Sequence, residues 1–512
     1  MTINKIKTII VLSILLMLGG AVSMKVQQQN KTLKVAFPMR LKSTAYEPTN
    51  INFDYEYIFL ENIYSPLVEI SASGSVEPGV AEKVEWIGDE LKLTIRDSLK
   101  TISGKKITAG DVVFSLKRLL VLSGNTHGNF RDIVCPGIVI KSTEEECPGI
   151  RQEGNSVFLN AKGKKSFLLP MLGAIDFAII PKSSVDPISL KIINYSETSG
   201  PYSVDSDDGN GKIQLLKNPN HYFATDDVAN KISFIPTDLK SGTNSLAAFT
   251  NGIVDHLTTI DASKPEDVIN FAQKNSDTDL LVTMKIRTLV LVFTQKGEKE
   301  FSSAERRYIG KKMKIAFNKI YNGVAGVEQR SEFFPNLSEG GLNADQQNRF
   351  KMELDNETTE PNRKIQLGII RRGTLEEWAT PIKELLPHVD ASLIGYIPDF
   401  KNDLQPEDTP HAFIGFTDTG FMEDIGLISY SLNSGVLGLN KYDRAQWLAH
   451  YMAIDDKEKR IKKLKELHFD ALTRPTVVPL MALPYAALVR KPWKIELSEL
   501  YANNQLWRIK LR

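Results

Sequence analysis

One stretch of this chain is apolar enough to engage a bilayer, and it stands at the start: MTINKIKTIIVLSILLMLGGAVSMKVQQQ. Lys5 and Lys7 form a short basic leader, Ile9 to Leu18 is an almost unbroken apolar run, and Gly19, Gly20 and Ala21 follow. Ala21 and Ser23 fit the small-x-small pattern that signal peptidase accepts. The expectation is a secretory signal over 1–23, cleaved between Ser23 and Met24. The apolar run is shorter than the roughly 20 residues that span a bilayer; an uncleaved N-terminal anchor is the alternative. No cysteine follows it, which excludes a bacterial lipoprotein anchor, and no later segment is apolar enough to cross a membrane. The rest of the polypeptide is therefore expected to fold outside the cytoplasm, as about two to four units each able to bury its own core.

That compartment decides how the two cysteines read. Both lie in CPGIVIKSTEEECPGI, residues 135–150. No histidine stands between Cys135 and Cys147, so a zinc site lacks ligands. The spacing is far longer than the C-x-x-C of a redox pair. Outside the cytoplasm the expectation is a disulfide that ties a loop.

Catalytic signatures are missing. The seven histidines are scattered, with no H-E-x-x-H, and there is no G-x-S-x-G nucleophile elbow. Gly104-Lys105 and Gly163-Lys164 lack the earlier glycine of a phosphate loop. No catalytic residue, metal or cofactor is expected. A net charge of +1 lacks the basic excess of a nucleic-acid binder.

Helical and strand patterns are mixed along the chain, with no regular alternation and no internal repeat. Lys34 to Phe37 is a short strand, and Tyr57 to Leu67 has helical spacing. Ser73-Gly74 turns a hairpin, and Leu91, Leu93 and Ile95 alternate as in a half-exposed strand. Thr108 and Asp111 make a capping box ahead of Val112, Leu116, Leu119 and Leu120 on one helical face. DFAIIPK reads as a strand ending at a proline, and Ile213 to Leu216 as another. SLAAFTNGIVDHL reads as a helix stopped at Gly252. A Lys-rich amphipathic helix is expected over Ala304 to Tyr321, a second helical region of mixed charge over Tyr442 to Leu472, and strands over TVVPLMALPYAALVRKPW.

Six of these segments recur together elsewhere. YSPLVEISASGSVEPGVAEKVEW, SGKKITAGDVVFSLKRLL, FLLPMLGAIDFAIIPKSS, SGPYSV with LLKNPNHYF, NGIVDHL and PTVVPLMALPYAALVRKPW stand in this order. The order resembles the extracellular solute-binding proteins of bacterial ABC importers, family 5, the oligopeptide and dipeptide binders. The resemblance runs from about Lys34 to the C-terminus. It implies an α/β, two-lobed periplasmic binding protein of the large peptide-binding type. Lobe I would take 32–265, with an extra subdomain over about 57–175. Lobe II would take 266–478, and 479–512 would return to lobe I. The implied partners are a peptide or small-molecule ligand held between the lobes and the permease subunits of an ABC transporter, with the binding protein itself a monomer.

The family's second lobe carries a tryptophan and an acid that receives the ligand's α-amino group. The matching stretch here is IGFTDTGFMEDIGLISY, with Phe416 in the tryptophan's place and Asp418 as the acid, Glu423 and Asp424 being rivals. The family's arginine-bearing helix appears as GKKMKIAFNK, with Gly310 for the arginine and Asn318 for an aspartate. The resemblance places Tyr46, Glu47, His127, Phe130 and Tyr485 at the ligand as well. Two other readings stay open: a sensor of the same fold uncoupled from import, and a secreted hydrolase.

Overall fold

The computed structural model describes residues 31–512 except 38–41, 52–53, 71–74, 124–127, 162–164, 238–243, 260–264, 283–286, 325, 335–337, 370–374, 395–408, 418–427, 429–430, 433–434, 455 and 497–504. Two sheets organise it. The first has seven strands in the order Thr278–Val282, Ala486–Arg490, His256–Thr258, Thr32–Phe37, Lys231–Pro236, Ile213–Lys217 and Tyr202–Asp207. Thr32–Phe37 runs parallel to both its neighbours, and the outer pairings are antiparallel. The second has six, in the order Glu328–Gln329, Val477–Leu483, Arg287–Phe293, Ala412–Thr417, Ile365–Ile369 and Val389–Leu393. Its central strands RTLVLVF and VVPLMAL are buried at every residue. That explains their continuous apolar runs, since both faces of these strands are covered.

The chain leaves the first sheet at Val282, enters the second at Arg287, and returns between Leu483 and Ala486. This is the two-lobed α/β architecture that the sequence implies. A smaller four-stranded sheet (Ala81–Ile87, Glu90–Ile95, Ser156–Asn160, Ile150–Glu153) precedes the return to the first. Helix Ala109–Leu122 packs on it through buried Val112, Leu116 and Leu119. Thr108 caps that helix: its Oγ1 accepts from Asp111 N at 3.3 Å, and Asp111 Oδ2 accepts from Thr108 N at 2.9 Å. Such a cap stabilises by about 1 kcal/mol.

The scaffold motifs have physical jobs. Tyr202 of SGPYSV is fully buried, and its hydroxyl donates to Ala229 O at 2.9 Å. Asn218 of LLKNPNHYF is fully buried, and its amide donates to Lys100 O at 2.8 Å. Asp255 of NGIVDHL accepts from Lys34 N at 3.1 Å and so fixes the end of helix Ser245–Thr250 to the first strand.

Cys135 and Cys147 are joined, with their Cα atoms 5.2 Å apart. The bridge sits inside the apolar core under the small sheet rather than on an outer loop, since the two cysteines are 0% and 3% exposed. The second CPGI turn needs its glycine, because a Cβ at Gly149 would lie 2.2 Å from Val134 O.

DFAIIPK is not a strand. Ile175–Phe177 is a single 3₁₀ turn, and the extended residues after it belong to no sheet. Ile179 N donates to Ser65 O and Ile180 N to Ser115 Oγ, so this backbone finds its partners outside any ladder. The preceding FLLPM lies in helix Lys165–Met171.

Candidate functional site

The passage between the sheets brings together residues that are remote in sequence. Arg287 opens the central strand of the second sheet and is 8% exposed. Its guanidinium lies 4.3 Å from the ring centroid of Tyr485 and 5.4 Å from that of Phe416, and it donates to the Tyr485 hydroxyl. Tyr485 stands on the returning passage and is 5% exposed. Phe416, half-buried, comes from the neighbouring strand, where it pairs in register with Leu289, and its ring is 6.3 Å from Trp378. Two of the expected ligand residues, Phe416 and Tyr485, thus meet around a cation that the sequence reading missed. Arg287 heads RTLVLVF, where a charged residue reads as an ordinary strand flank. Its neighbours Phe416 and Tyr485 come from segments more than 120 positions away.

A guanidinium stacked on aromatic rings keeps its rigid fork of N–H donors in plane. Such a fork suits a carboxylate or a backbone carbonyl, and charge-assisted bonds of this kind are stronger than neutral ones. Ring faces on either side supply apolar surface for an extended chain.

Three other expected residues, Tyr46, Glu47 and Phe130, have different neighbours. Tyr46 is fully buried against Phe59 and Phe37, with ring centroids 4.6 Å and 6.1 Å away. Glu47 makes a two-point ion pair with Arg118, Oε1 to NH1 at 3.0 Å and Oε2 to NH2 at 2.6 Å. Arg118 is 1% exposed and also donates to Leu190 O at 2.8 Å, so Glu47 anchors its segment to helix Ala109–Leu122. Phe130 is fully buried, edge-on to Phe177 at 5.0 Å. His127, Asp418, Glu423 and Asp424 fall outside the described residues.

Gly310 has a steric reason. A Cβ there would come within 2.9 Å of Val478 Cγ2, because helix Ser303–Ile320 lies directly on strand Val477–Leu483. The family's arginine has no room at this helix position.

One serine–histidine pair bears on the hydrolase reading. Ser65 Oγ and His221 Nε2 are 3.0 Å apart. Phe223 N donates to His221 Nδ1 at 3.2 Å, so the ring proton sits on Nε2 and is given to Ser65. A general base would need the opposite polarity. Burial also pushes the imidazole down to about 3. His468 and His411 follow the same plan, each accepting a backbone N–H on one ring nitrogen, from Phe333 at 2.9 Å and Gln366 at 2.8 Å. These rings tie segments together. Among the described residues no group of His, Cys, Asp and Glu could hold a metal ion.

Residues 75–308 match the family model of the bacterial extracellular solute-binding proteins, family 5, middle region. Over those residues the chain is similar to the family 5 solute-binding proteins. Three solved structures share the fold across nearly the whole chain. A periplasmic oligopeptide-binding protein from Borrelia burgdorferi superposes with TM-score 0.71 at 16% identity, covering 94% of this chain and 100% of that one. Haemophilus influenzae OppA in complex with RPPGFSPFR gives 0.70 at 15%, covering 94% and 99%. Staphylococcus aureus NikA in complex with Ni(L-His)2 gives 0.69 at 14%, covering 94% and 100%. At such identities the likeness is one of fold, and this family 5 fold is seen with a peptide and with a metal complex. No curated protein matches the chain by sequence. Among the described residues no helix is long and apolar enough to cross a membrane, and the leader lies outside them.

Proposed function

We propose that this chain captures a peptide, or a similar small solute, between its two lobes in the periplasm and delivers it to the permease of an ABC importer. In this reading the first lobe comprises the first sheet and the small sheet, and the second lobe comprises the second sheet. Strand membership favours boundaries between 282 and 287 and between 483 and 486, rather than at 265 and 478.

The observation that carries the reading is the Arg287–Tyr485–Phe416 cluster at the passage between the sheets of a family 5 fold. Interdomain clefts are where ligand sites prefer to form. A cation between aromatic faces at that point suits a zwitterionic chain whose backbone bonds to the protein while its side chains stay solvated. The chain acts as a carrier, and the polarity of Ser65 and His221 supports that over hydrolysis.

Native mass spectrometry of the protein purified from cell envelopes tests the proposal. Co-purifying peptides of mixed sequence are the expected result. A single non-peptide species, such as a metal chelate, would overturn the peptide assignment. Permease and ATPase genes beside this one are expected for an importer, and their absence would favour the sensor.

A further inference from the structure

We propose that Phe167 is a latch that holds the two lobes closed independently of the solute. The residue lies on helix Lys165–Met171, which follows the last strand of the small sheet. Its ring is fully buried, although its partners belong to the other side of the molecule. The Arg460 guanidinium lies 4.1 Å from the Phe167 ring centroid, and the Tyr451 ring meets it at 6.2 Å and 62°. Trp447 stacks on Tyr451 at 4.9 Å and 18°. These three residues come from helices Lys441–Met452 and Lys457–Thr473, the second of which packs against strand Val477–Leu483 of the second sheet.

All three contacting residues, Phe167, Tyr451 and Arg460, lie on helices, so no strand pairing imposes the contact. Yet one apolar cluster takes in residues of the small sheet, Phe167 and residues of the second sheet, while the first sheet packs into two separate clusters. Arg460 is 1% exposed and donates to Ile454 O at 3.0 Å, which aims its plane at the ring. Parting the lobes would put Phe167, Tyr451 and Arg460 into water together. A cation–ring contact is stronger when desolvated, and an edge-on aromatic pair adds to the area buried. The contact therefore favours the closed form before any solute arrives. Apparent affinity rises with the fraction of protein in the binding-competent form, so the same contact sets how much solute binding must supply to complete closure.

The inference rests on the two-lobe reading but not on the identity of the solute, and its test uses none. Lobe separation is measured on the full chain, dialysed free of solute, by small-angle scattering and by the distance between one label in each lobe. Phe167→Ala and Arg460→Met should each raise the open fraction about tenfold, while Phe167→Tyr, which keeps the ring, should match wild type. A Phe167→Ala protein with native circular dichroism and the wild-type distance distribution would overturn the latch. If that variant does not fold, Arg460→Met decides by the same reading.

Discussion

His256 lies in the middle of the first sheet, paired in register with Val35 and Val489, and is 1% exposed. Among the described residues neither ring nitrogen has a hydrogen-bond partner. Burial alone pushes its imidazole down to about 3. The unfolded chain takes up this proton near 6.5, so the neutral ring contributes stability that is present above pH 6.5 and lost as pH falls toward 3. His256→Leu should therefore stabilise the protein by a margin that is constant above pH 6.5 and grows by about 2 kcal/mol by pH 5. Urea unfolding at several pH values measures it, and a margin that does not change with pH would count against the argument. Glu69 acts in the opposite sense. It is 4% exposed, and burial first, with Glu77 contributing, raises it to about 7 against the pull of Arg508, the Tyr222 hydroxyl and Arg96. Its contribution is present below pH 4.5 and is lost as pH rises through 7. At this scale the sequence was partly legible. An aromatic beside a second-lobe acid motif pointed to Phe416, and Tyr485 adjoined a strand that changes sheets. Glu47 looked equally suitable, because nothing local reveals that Arg118, seventy-one positions away, takes both its carboxylate oxygens.

Elements read best where local chemistry and packing agree. The Thr108 cap and the alternation of Leu91, Leu93 and Ile95 agree with their sequence patterns. DFAIIPK misled because an apolar run before a proline fits a buried strand and a buried irregular segment equally well. Only the carbonyl of Ser65 and the hydroxyl of Ser115, both distant in sequence, distinguish them. The disulfide acts at this scale too. It closes a loop between positions 12 apart, which stabilises by roughly 3 kcal/mol in the chain-entropy model. Replacing Cys135 and Cys147 by serine together should lower the melting temperature by about 3–6 °C and leave a cooperative transition. Complete loss of folding would mean that the bridge does more than close that loop.

The whole molecule depends on its last strands. Val477–Leu483 lies beside the central strand of the second sheet, and Ala486–Arg490 lies inside the first, between His256–Thr258 and Thr278–Val282. A chain ending at Thr476 would lack an inner strand in each sheet and would remove the one partner strand that Thr278–Val282 has among the described residues. Such a truncation should abolish the cooperative transition outright. Calorimetry reads this, and a protected, cooperatively melting first sheet would contradict it. This strand order has a consequence for biogenesis. A polypeptide threaded across a membrane from its N-terminus delivers the keystones of both sheets last. Until they arrive, Arg287–Phe293 and His256–Thr258 each offer a bare ladder edge to any neighbouring chain. For a chain exported as proposed above, the receiving compartment would have to shelter the nascent protein through nearly its whole passage, and the rate at which its final segment crosses would set how much of it escapes aggregation.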